Sequence, residues 1–303
     1  MVARLVADQR YRQTHSPQQP NQGGAGHASP IPRRVPVRLH PVERVRCRAM
    51  SSELDVATLS RELAELSPRR VLRRAYELFD PADVALSFSG AEDVLLVEFA
   101  VDVLAARGLK PRVFSLDTGR LHGETYRFLA KVEKHYDLRI EYCFPETEAV
   151  TALVRTKGLF SFYEDGHKEC CGIRKVGPLR KQLSGLRAWV TGQRRDQSPR
   201  TRGSVQAFEL DEAFRGLDDG PLYKFNPMVS MSSDEVWDTI RAFEVPYNEL
   251  HGRGLVSIGC EPCTRAILPG EHERAGRWWW EEATKKECGL HVGEEPPPPG
   301  PPL

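Results

Sequence analysis

Five cysteines in three short stretches are the residues of this chain best suited to chemistry. Cys170 and Cys171 are adjacent in H-K-E-C-C-G-I-R-K, and Cys260 and Cys263 form a C-x-x-C pair in I-G-C-E-P-C-T-R. The two pairs supply four thiolates, the number that closes one metal centre. Cys288 stands apart in K-K-E-C-G-L-H. The spacing therefore predicts four metal ligands and one further thiol for chemistry.

The adjacency of the first pair bears on the kind of metal centre. A single zinc held by four cysteines typically uses two C-x-x-C pairs, whereas neighbouring cysteines point apart and reach one small ion with difficulty. A [4Fe–4S] cluster has four separate irons, so adjacent thiolates can bind different corners. The pattern favours a [4Fe–4S] cluster over zinc. Buried apolar cysteines are the alternative interpretation, and it fits Cys143, which lies on a predicted strand away from both pairs.

Cys288 lies in a basic stretch of the sequence. Lys285, Lys286 and His291 are close to it, and Gly289 follows it directly. Nearby cations lower the pKa of a thiol and increase the fraction of nucleophilic thiolate. The sequence therefore favours Cys288 as a catalytic nucleophile over an incidental cysteine near the end of the chain.

A turn rich in small residues follows the first predicted strand. Ser87, Ser89 and Gly90 lie in S-F-S-G-A-E-D, and a helix begins at once. The free backbone N–H groups of a helix N-terminus suit a phosphate, and the two hydroxyls add donors. A tight turn with a serine cap is an equally good interpretation. The stretch is neither a Walker loop nor G-x-G-x-x-G.

Two other predicted strands end in polar residues. Asp117 and Thr118 follow the second strand, where a parallel sheet would bind a ribose or base, unless they only form a local turn. Gly192 follows the fourth strand and opens a run of arginines that could bind phosphate or sulfate. A solvated loop is the alternative for that run, whose arginines are Arg194, Arg195, Arg200 and Arg202.

The elements that must position these residues alternate between strand and helix. This alternation, with apolar strands, predicts an α/β domain with a mainly parallel sheet. Ser232 and Glu235 form a capping box ahead of the last helix. The predicted strands cover 84–89, 112–117, 139–144, 188–191 and 223–227, and the helices 91–106, 122–135, a short stretch after 145, 170–183 and 233–243.

Composition bounds the class of protein. With 43 Lys and Arg against 42 Asp and Glu, the charge gives no case for nucleic acid, and no apolar run is long enough to span a membrane. The odd number of cysteines fits a reducing cytoplasm better than a secreted disulfide scaffold. Residues 1–49 are Arg- and Pro-rich and are predicted to be disordered, as a transit peptide or an extension from an upstream start codon. Residues 294–303 form a Pro-rich tail, also predicted to be disordered.

Taken together, the motifs resemble a known family. The chain is similar to the assimilatory adenylyl-sulfate reductases of the phosphoadenylyl-sulfate reductase family over about residues 52–291. The motifs that carry the resemblance are S-F-S-G-A-E-D-V-L-L, L-D-T-G-R-L-H-x-E-T, E-C-C-G-I-R-K-V-x-P-L, G-C-x-P-C-T-R, and G-R-W-W-W-E ahead of K-x-E-C-G-L-H.

The resemblance implies a fold, a cofactor and a reaction. It implies an adenine-nucleotide α-hydrolase-like domain at 50–268 with a [4Fe–4S] cluster, and a mobile segment at 269–293. Cys288 would attack the sulfur of adenosine 5′-phosphosulfate, AMP would leave, and a separate thioredoxin would release sulfite from the S-sulfocysteine. By position in the motifs, the sulfate would be held by Lys175, Arg274, Arg277 and His291. A homo-oligomer remains open.

Three alternatives remain at this point. The 3′-phosphorylated nucleotide could be the substrate, although relatives that use it generally lack the two cysteine pairs. An ATP-dependent RNA-thiolating enzyme would share the fold, but Ser89-Gly90-Ala91-Glu92-Asp93-Val94 lacks the second Gly and the final Ser of the S-G-G-x-D-S loop. A zinc-stapled nucleotide-binding module, which would be no enzyme, is the third.

Overall fold

A six-stranded sheet organises the protein. The structure is a computed structural model, and it describes residues 54–281. The strands lie in the order β3-β2-β1-β4-β6-β5. Their bounds are β1 Val84–Ser87, β2 Arg112–Leu116, β3 Ile140–Cys143, β4 Ala188–Val190, β5 Phe208–Leu210 and β6 Tyr223–Phe225.

All pairs of neighbouring strands but one are parallel. Leu86 of β1 is in register with Val113 of β2 on one side and Val190 of β4 on the other. This confirms the predicted mainly parallel α/β sheet. The exception is β5, which pairs antiparallel with β6 at the edge of the sheet. Sequence reasoning missed β5 because only one of its three residues, Phe208, is buried, which leaves no apolar run.

Helices cover both faces of the sheet. Buried residues of β1 and α3 lie together in the main core, and α3 alone buries ten residues. A helix enclosed in this way reads as apolar on every side. The helices of at least one α-turn are α1 Val56–Ala64, α2 Pro68–Leu78, α3 Ala91–Ala105, α4 Gly123–Tyr136, α5 Thr147–Lys157, α6 Lys168–Cys171, α7 Gly177–Leu183, α8 Pro199–Arg202 and α9 Ser233–Phe243.

Two helical predictions can be compared with the structure in detail. The capping box at α9 is confirmed, since Ser232 accepts from the Glu235 N–H and Glu235 accepts from the Ser232 N–H. The single helix predicted over 170–183 is wrong in one respect. A π-helical segment, Gly172–Val176, separates α6 from α7. At its end the Gly177 N–H donates to the Gly172 carbonyl, five residues back.

The carboxyl ends of β1, β2 and β4 meet at one edge of the sheet because these strands are parallel neighbours. Residues 249–281 lie across that edge. Cys260 forms an isolated antiparallel bridge with Leu121, and the Glu261 N–H donates to the Arg120 carbonyl at 2.8 Å. The loops that could bind a ligand are therefore closed over by the stretch that contains the C-x-x-C pair.

The predicted boundary between 268 and 269 stays a prediction. In the structure, the described part of the predicted mobile segment folds back on the chain before it, because Arg265 N–H donates to the Gly276 carbonyl at 3.0 Å. Within residues 54–281, none of the helices combines the length and the apolar composition that a membrane span requires.

Candidate active site

One large pocket opens at the carboxyl ends of β1, β2 and β4. It brings together most of the residues that the sequence singled out, although they come from five separate stretches of chain. The pocket contains parts of the turn after β1, the π segment, the loop after β4 and the stretch 256–278. The predicted site residues that line it are Ser87, Ser89, Gly90, Thr118, Lys175, Gly192, Arg202, Arg274 and Arg277.

The turn after β1 differs from the prediction of free N–H groups. The Asp93 carboxylate accepts from Ser89 N–H at 2.6 Å, from Gly90 N–H at 2.8 Å and from Gly192 N–H at 3.1 Å. The Ser89 hydroxyl donates to it as well. The Ser89 and Gly90 N–H groups, two of the donors expected at this turn, are therefore bonded to an acid of the same motif.

Burial and the neighbouring charge of Glu92 raise the pKa of Asp93 to about 6, against the opposing effect of the bonds from Ser89 and Gly90. Gly192 is required at this point by close approach. A Cβ atom there would lie 2.5 Å from Asp93 Oδ1 and 2.7 Å from the Glu92 Cβ. The turn after β1 and the start of the loop after β4 are thus locked together.

The run of arginines after β4 divides into different roles. Arg194 is 1% exposed, and its guanidinium donates to Glu92 Oε1, to both oxygens of Glu273 and to the Met231 carbonyl. Burial opposes its charge, but Glu92 and Glu273 outweigh that effect and raise the pKa of Arg194. Arg195 donates to the Val205 carbonyl. Arg202 is a buried residue of the pocket wall that donates to Gln197 Oε1, and its anion-binding role stays a prediction.

Asp117 is the predicted substrate residue that the structure places elsewhere. Its Oδ1 accepts from Gly119 N–H at 2.8 Å and from the Tyr126 hydroxyl at 2.9 Å, and it is not part of the pocket wall. These contacts match the local turn that the sequence left as the alternative. Thr118 faces the other way, with its hydroxyl 3.1 Å from Cys260 Sγ.

A second, smaller cavity contains all four predicted metal ligands. Buried aromatic rings and basic side chains surround the thiols. The residues that line this cavity are Arg120, Phe162, His167, Cys170, Cys171, Arg174, Lys175, Cys260 and Cys263. Cys260 and Lys175 belong to both cavities. The thiols and the larger pocket therefore meet at these two residues.

The C-x-x-C pair is held by a tight set of backbone bonds. Cys263 N–H donates to the Cys260 carbonyl at 3.0 Å, and Trp278 N–H donates to the Cys263 carbonyl at 3.1 Å. The Thr264 hydroxyl also donates to the Cys260 carbonyl. Burial would raise the pKa of the Cys260 thiol, but Lys175, the Thr118 hydroxyl, Arg277 and Arg120 together lower it.

The remaining thiols have the opposite tendency. Burial raises the pKa of Cys263 to about 12, with a further contribution from Cys260, and burial also raises the pKa of Cys170. Cys143 lies outside both cavities, and burial with the charge of Glu141 raises its pKa to about 11. That placement agrees with an unreactive, partly buried cysteine.

Cations from two stretches meet over one tryptophan at the junction of the cavities. Lys175 Nζ lies 5.4 Å and Arg277 Cζ lies 4.5 Å from the ring centroid of Trp278, which is fully buried. A Cβ atom on Gly259 would lie 2.4 Å from Arg277 Nη2, so only glycine leaves room for that guanidinium. Cys288 and His291 lie outside the described residues.

Comparison with known proteins agrees with this geometry. Residues 83–266 match the phosphoadenosine phosphosulfate reductase domain. An adenosine 5′-phosphosulfate reductase of Pseudomonas aeruginosa is 57% identical over 244 residues, which cover 80% of this chain and 89% of that protein. The chain belongs to the phosphoadenosine phosphosulfate reductase family.

Other members of the family extend the comparison. The chloroplastic 5′-adenylylsulfate reductase 3 of Arabidopsis thaliana is 57% identical over 241 residues, but these cover only 52% of that longer protein and 79% of this chain. The crystal structure of the phosphoadenylyl-sulfate reductase of Candida auris superposes with a TM-score of 0.56 at 24% identity, covering 72% of this chain and 98% of that one. The likeness confirms the predicted adenine-nucleotide α-hydrolase-like fold.

Sequence reasoning missed three features of this family member's site. Asp93 and Glu273 carry its internal bonds, and the Trp278 ring packs against the cations of the larger pocket. A signal for Asp93 was present, because an acid at the third helical position after a glycine turn often caps its own helix. The partners of Arg194 are 102 and 79 residues away in sequence, and no local pattern indicates them.

Proposed function

We propose that the chain reduces adenosine 5′-phosphosulfate to sulfite and AMP in sulfate assimilation, with thioredoxin as the electron donor. The observation that carries the proposal is the junction of the two cavities at Lys175 and Cys260. At this junction the Lys175 ammonium would lie between a nucleotide in the larger pocket and the four thiols. The names of the Pseudomonas and Arabidopsis relatives support the same substrate.

The larger pocket supplies the nucleotide site in this proposal. Ser87 ends β1 and Gly192 follows β4, where ligands of such folds bind, and Arg202 at the end of α8 joins them in the pocket wall. Since Asp93 occupies the N–H donors of the turn after β1, the α-phosphate would be bound by hydroxyls and basic side chains rather than by those amides. The base and ribose would fill the apolar and amide-lined remainder of the pocket.

The sulfate group would lie at the cationic end. Lys175, Arg274 and Arg277 line the pocket there. Basic side chains held in a buried setting stabilise charge as it develops on a leaving phosphate, with no reorganisation at the moment of reaction. Since Cys288 and His291 follow this stretch in sequence, we assign them the nucleophile and a sulfate contact.

The reaction then proceeds by two thiol displacements. The Cys288 thiolate attacks the sulfur of the phosphosulfate, an S–S bond forms, and the sulfur–oxygen bond to AMP breaks with its electron pair on AMP. A thioredoxin thiolate next attacks the Cys288 sulfur, sulfite leaves, and a mixed disulfide remains. The second thioredoxin thiol resolves that disulfide and returns the Cys288 thiol, so the dithiol supplies both electrons.

The four-cysteine cavity fits a [4Fe–4S] cluster. Cys170, Cys171, Cys260 and Cys263 line one cavity. Four thiols of which two are adjacent in sequence suit the four separate irons of a cluster better than one zinc. A bound cluster would tune the charge around the sulfate group, because the thioredoxin dithiol already accounts for the electrons.

Buried N–H donors around that cavity support the same assignment. Arg120 Nη1, Arg174 Nε and Trp278 Nε1 are buried and have no hydrogen-bond partner. Such donors normally find an acceptor, and the sulfur atoms of a cluster or the oxygens of a sulfate are acceptors of that kind. The four ligand cysteines are free thiols, which suits a reducing compartment such as the cytoplasm.

Anaerobic turnover tests the proposed function. Purified protein whose iron content has been recorded is given thioredoxin and either nucleotide, and sulfite is measured. We expect brown protein that forms sulfite from adenosine 5′-phosphosulfate at least about tenfold faster than from its 3′-phosphorylated form. Preference for the phosphorylated form would change the substrate, and a colourless zinc protein without sulfite production would refute the reductase assignment.

The nucleophile has its own test. Cys288→Ser should retain the brown colour and the iron but form no S-sulfocysteine and no sulfite, because a hydroxyl cannot replace the thiolate. Mass spectrometry of the wild type after reaction with the nucleotide, without thioredoxin, should show the added sulfite at Cys288. A Cys288→Ser protein that produced sulfite would remove this residue from the mechanism.

A further inference from the structure

An exposed group of large apolar side chains lies beside the cysteine cavity. Leu159, Phe160, Tyr163 and Trp279, which we term the aromatic patch, are between 40% and 56% exposed. The rings are contiguous, because Tyr163 lies 6.3 Å from Phe160 on one side and 6.3 Å from Trp279 on the other. Exposed apolar groups of this kind mark interaction surfaces when they are contiguous rather than scattered.

Hydrogen bonds and ring packing hold the aromatic patch against the rest of the protein. The Tyr163 hydroxyl donates to the Pro262 carbonyl at 2.7 Å, inside the C-x-x-C pair. The Arg120 guanidinium packs 5.6 Å from the Phe160 ring and donates to the Leu159 carbonyl. Because these side chains are already held, binding a partner would cost little ordering entropy.

A lysine beside the patch is paired within the chain. Lys157 Nζ lies 3.2 Å from Asp165 and 2.6 Å from Glu169. A partner is therefore not needed to pair this lysine. Burial of apolar area, which depends little on salt, would dominate the contact.

The position of the patch in the chain indicates which partner reaches it. Trp279 is nine positions before Cys288 in sequence, and Cys288 is seven positions after Glu281. Seven extended residues reach at most about 25 Å. A domain of about 100 residues has a radius of gyration of about 13 Å, so a protein that attacks Cys288 presents a surface wide enough to cover the patch.

We propose that the aromatic patch is the docking surface for the protein dithiol that releases sulfite from Cys288. The proposal rests on the proposed function, since it concerns the second displacement alone. The partner it fits is a small protein with an apolar surface around its reactive thiol. Nucleotide binding and the first displacement do not involve the patch, because none of its four residues lines either cavity.

Separate assays of the two displacements test this docking surface. The double variant Phe160→Ser/Trp279→Ser should raise the KM for thioredoxin at least about tenfold. It should form S-sulfocysteine at the wild-type rate when nucleotide is added without thioredoxin, and it should release sulfite normally with dithiothreitol. The matched control is Leu109→Ser, which removes a side chain that is 46% exposed just before β2, at the opposite edge of the sheet.

Each outcome of this experiment decides the proposal. An unchanged KM for thioredoxin would overturn it, as would an equal change in the control. Loss of the first displacement in the double variant would show a structural role and overturn it too. A change of oligomeric state in sedimentation, with the KM unchanged, would assign the patch to a second copy of the chain. Wild-type protein without sulfite production would instead refute the proposed function.

Discussion

The nucleotide pocket and the cysteine cavity share an edge of the sheet, but their polar groups are organised in opposite ways. In the pocket wall, the charged groups satisfy one another, as Asp93 does with the turn after β1 and Arg194 does with Glu92 and Glu273. Away from the end of the pocket that adjoins the cysteine cavity, the buried atoms with no partner among residues 54–281 are Gln193 Oε1, an acceptor, and His251 Nδ1. Asp93 and Arg194 are thus paired before any ligand binds.

Around the cysteine cavity the buried atoms without partners are N–H donors. Arg120 and Arg174 line the cavity and Arg277 and Trp278 line the adjoining end of the larger pocket, and each has one N–H donor with no partner among residues 54–281. Burying such a donor without an acceptor costs about 1–3 kcal/mol, so this end of the site is the less stable one until an anion or a cluster supplies acceptors. The polar groups of the proposed nucleotide pocket are therefore satisfied by the folded chain itself. Those near the cysteines are satisfied only when a ligand or a cluster binds.

The largest effect that would sharpen this comparison is loss of a cysteine ligand. Cys260→Ser should lose all bound iron and all sulfite production, and it should unfold more easily by several kcal/mol because metal ligation contributes folding energy. Iron analysis, the visible spectrum and thermal unfolding followed by circular dichroism measure these effects. Cys143→Ser is the control, since Cys143 lies outside both cavities, and full iron content in Cys260→Ser would refute the ligand assignment.

A smaller effect is expected at the ion pair between Arg194 and Glu273, which joins the loop after β4 to the stretch that carries Arg274. Glu273→Gln leaves Arg194 paired with Glu92 but weakens its bond to the stretch that carries Arg274. We expect S-sulfocysteine formation to slow about tenfold, or about 1.4 kcal/mol, while AMP binding changes less than about twofold. Rapid-quench kinetics and calorimetry separate the two quantities.

The control for that variant is Glu271→Gln. Glu271 lies two residues before Glu273 in the same stretch, and its substitution weakens an ion pair with Arg265 near the surface. Equal slowing in both variants would mean that the stretch responds to any lost charge. If AMP affinity fell as much as the rate of S-sulfocysteine formation, Glu273 would act in the nucleotide site itself rather than by positioning the stretch that carries Arg274.

The last effect is on stability rather than on activity, and it concerns pH and the larger pocket alone. The folded-state pKa of Asp93, about 6, lies above the ordinary 3.8. Its carboxyl group therefore contributes stability that is complete below about pH 4 and is lost as the pH rises through about 6. Relative to Asp93→Asn, the unfolding free energy of the wild type should fall by up to about 3 kcal/mol from about pH 4 to about pH 7. Urea unfolding of both proteins across this range measures it, and a constant difference would show that the carboxyl titrates in its ordinary range.

Much of the fold, and the choice of the four cysteines proposed as ligands, follow from local pattern. Strands such as β1 and β2 are predicted by their apolar runs, and each cysteine pair is recognised by its short spacing even though the two pairs are far apart in sequence. The part that could not be predicted depends on contacts between distant residues. Whether Arg194 faces an anion or a carboxylate is decided by Glu92 and Glu273, which only the folded chain brings to it.

The same reason explains why local pattern left the turn after β1 and Asp117 open between two interpretations. A carboxylate and a phosphate accept from the same kind of N–H donor, and Asp93 lies beside Gly192, which follows another strand. Asp117 accepts from the hydroxyl of Tyr126, in the first turn of α4. The residue types predict an anion site, but not which donors remain available for it.

The π segment Gly172–Val176 makes the site sensitive to the number of residues as well as to their types. It follows Cys171 directly and contains Lys175, and each residue of an ordinary α-helix turns the chain by about 100°. Deleting one residue there would restore α-helical spacing, keep every cysteine, and yet turn Lys175 away from the thiols. A related sequence that keeps every cysteine and Lys175 but has one residue fewer between Cys171 and Gly177 would therefore not be expected to have the same active site.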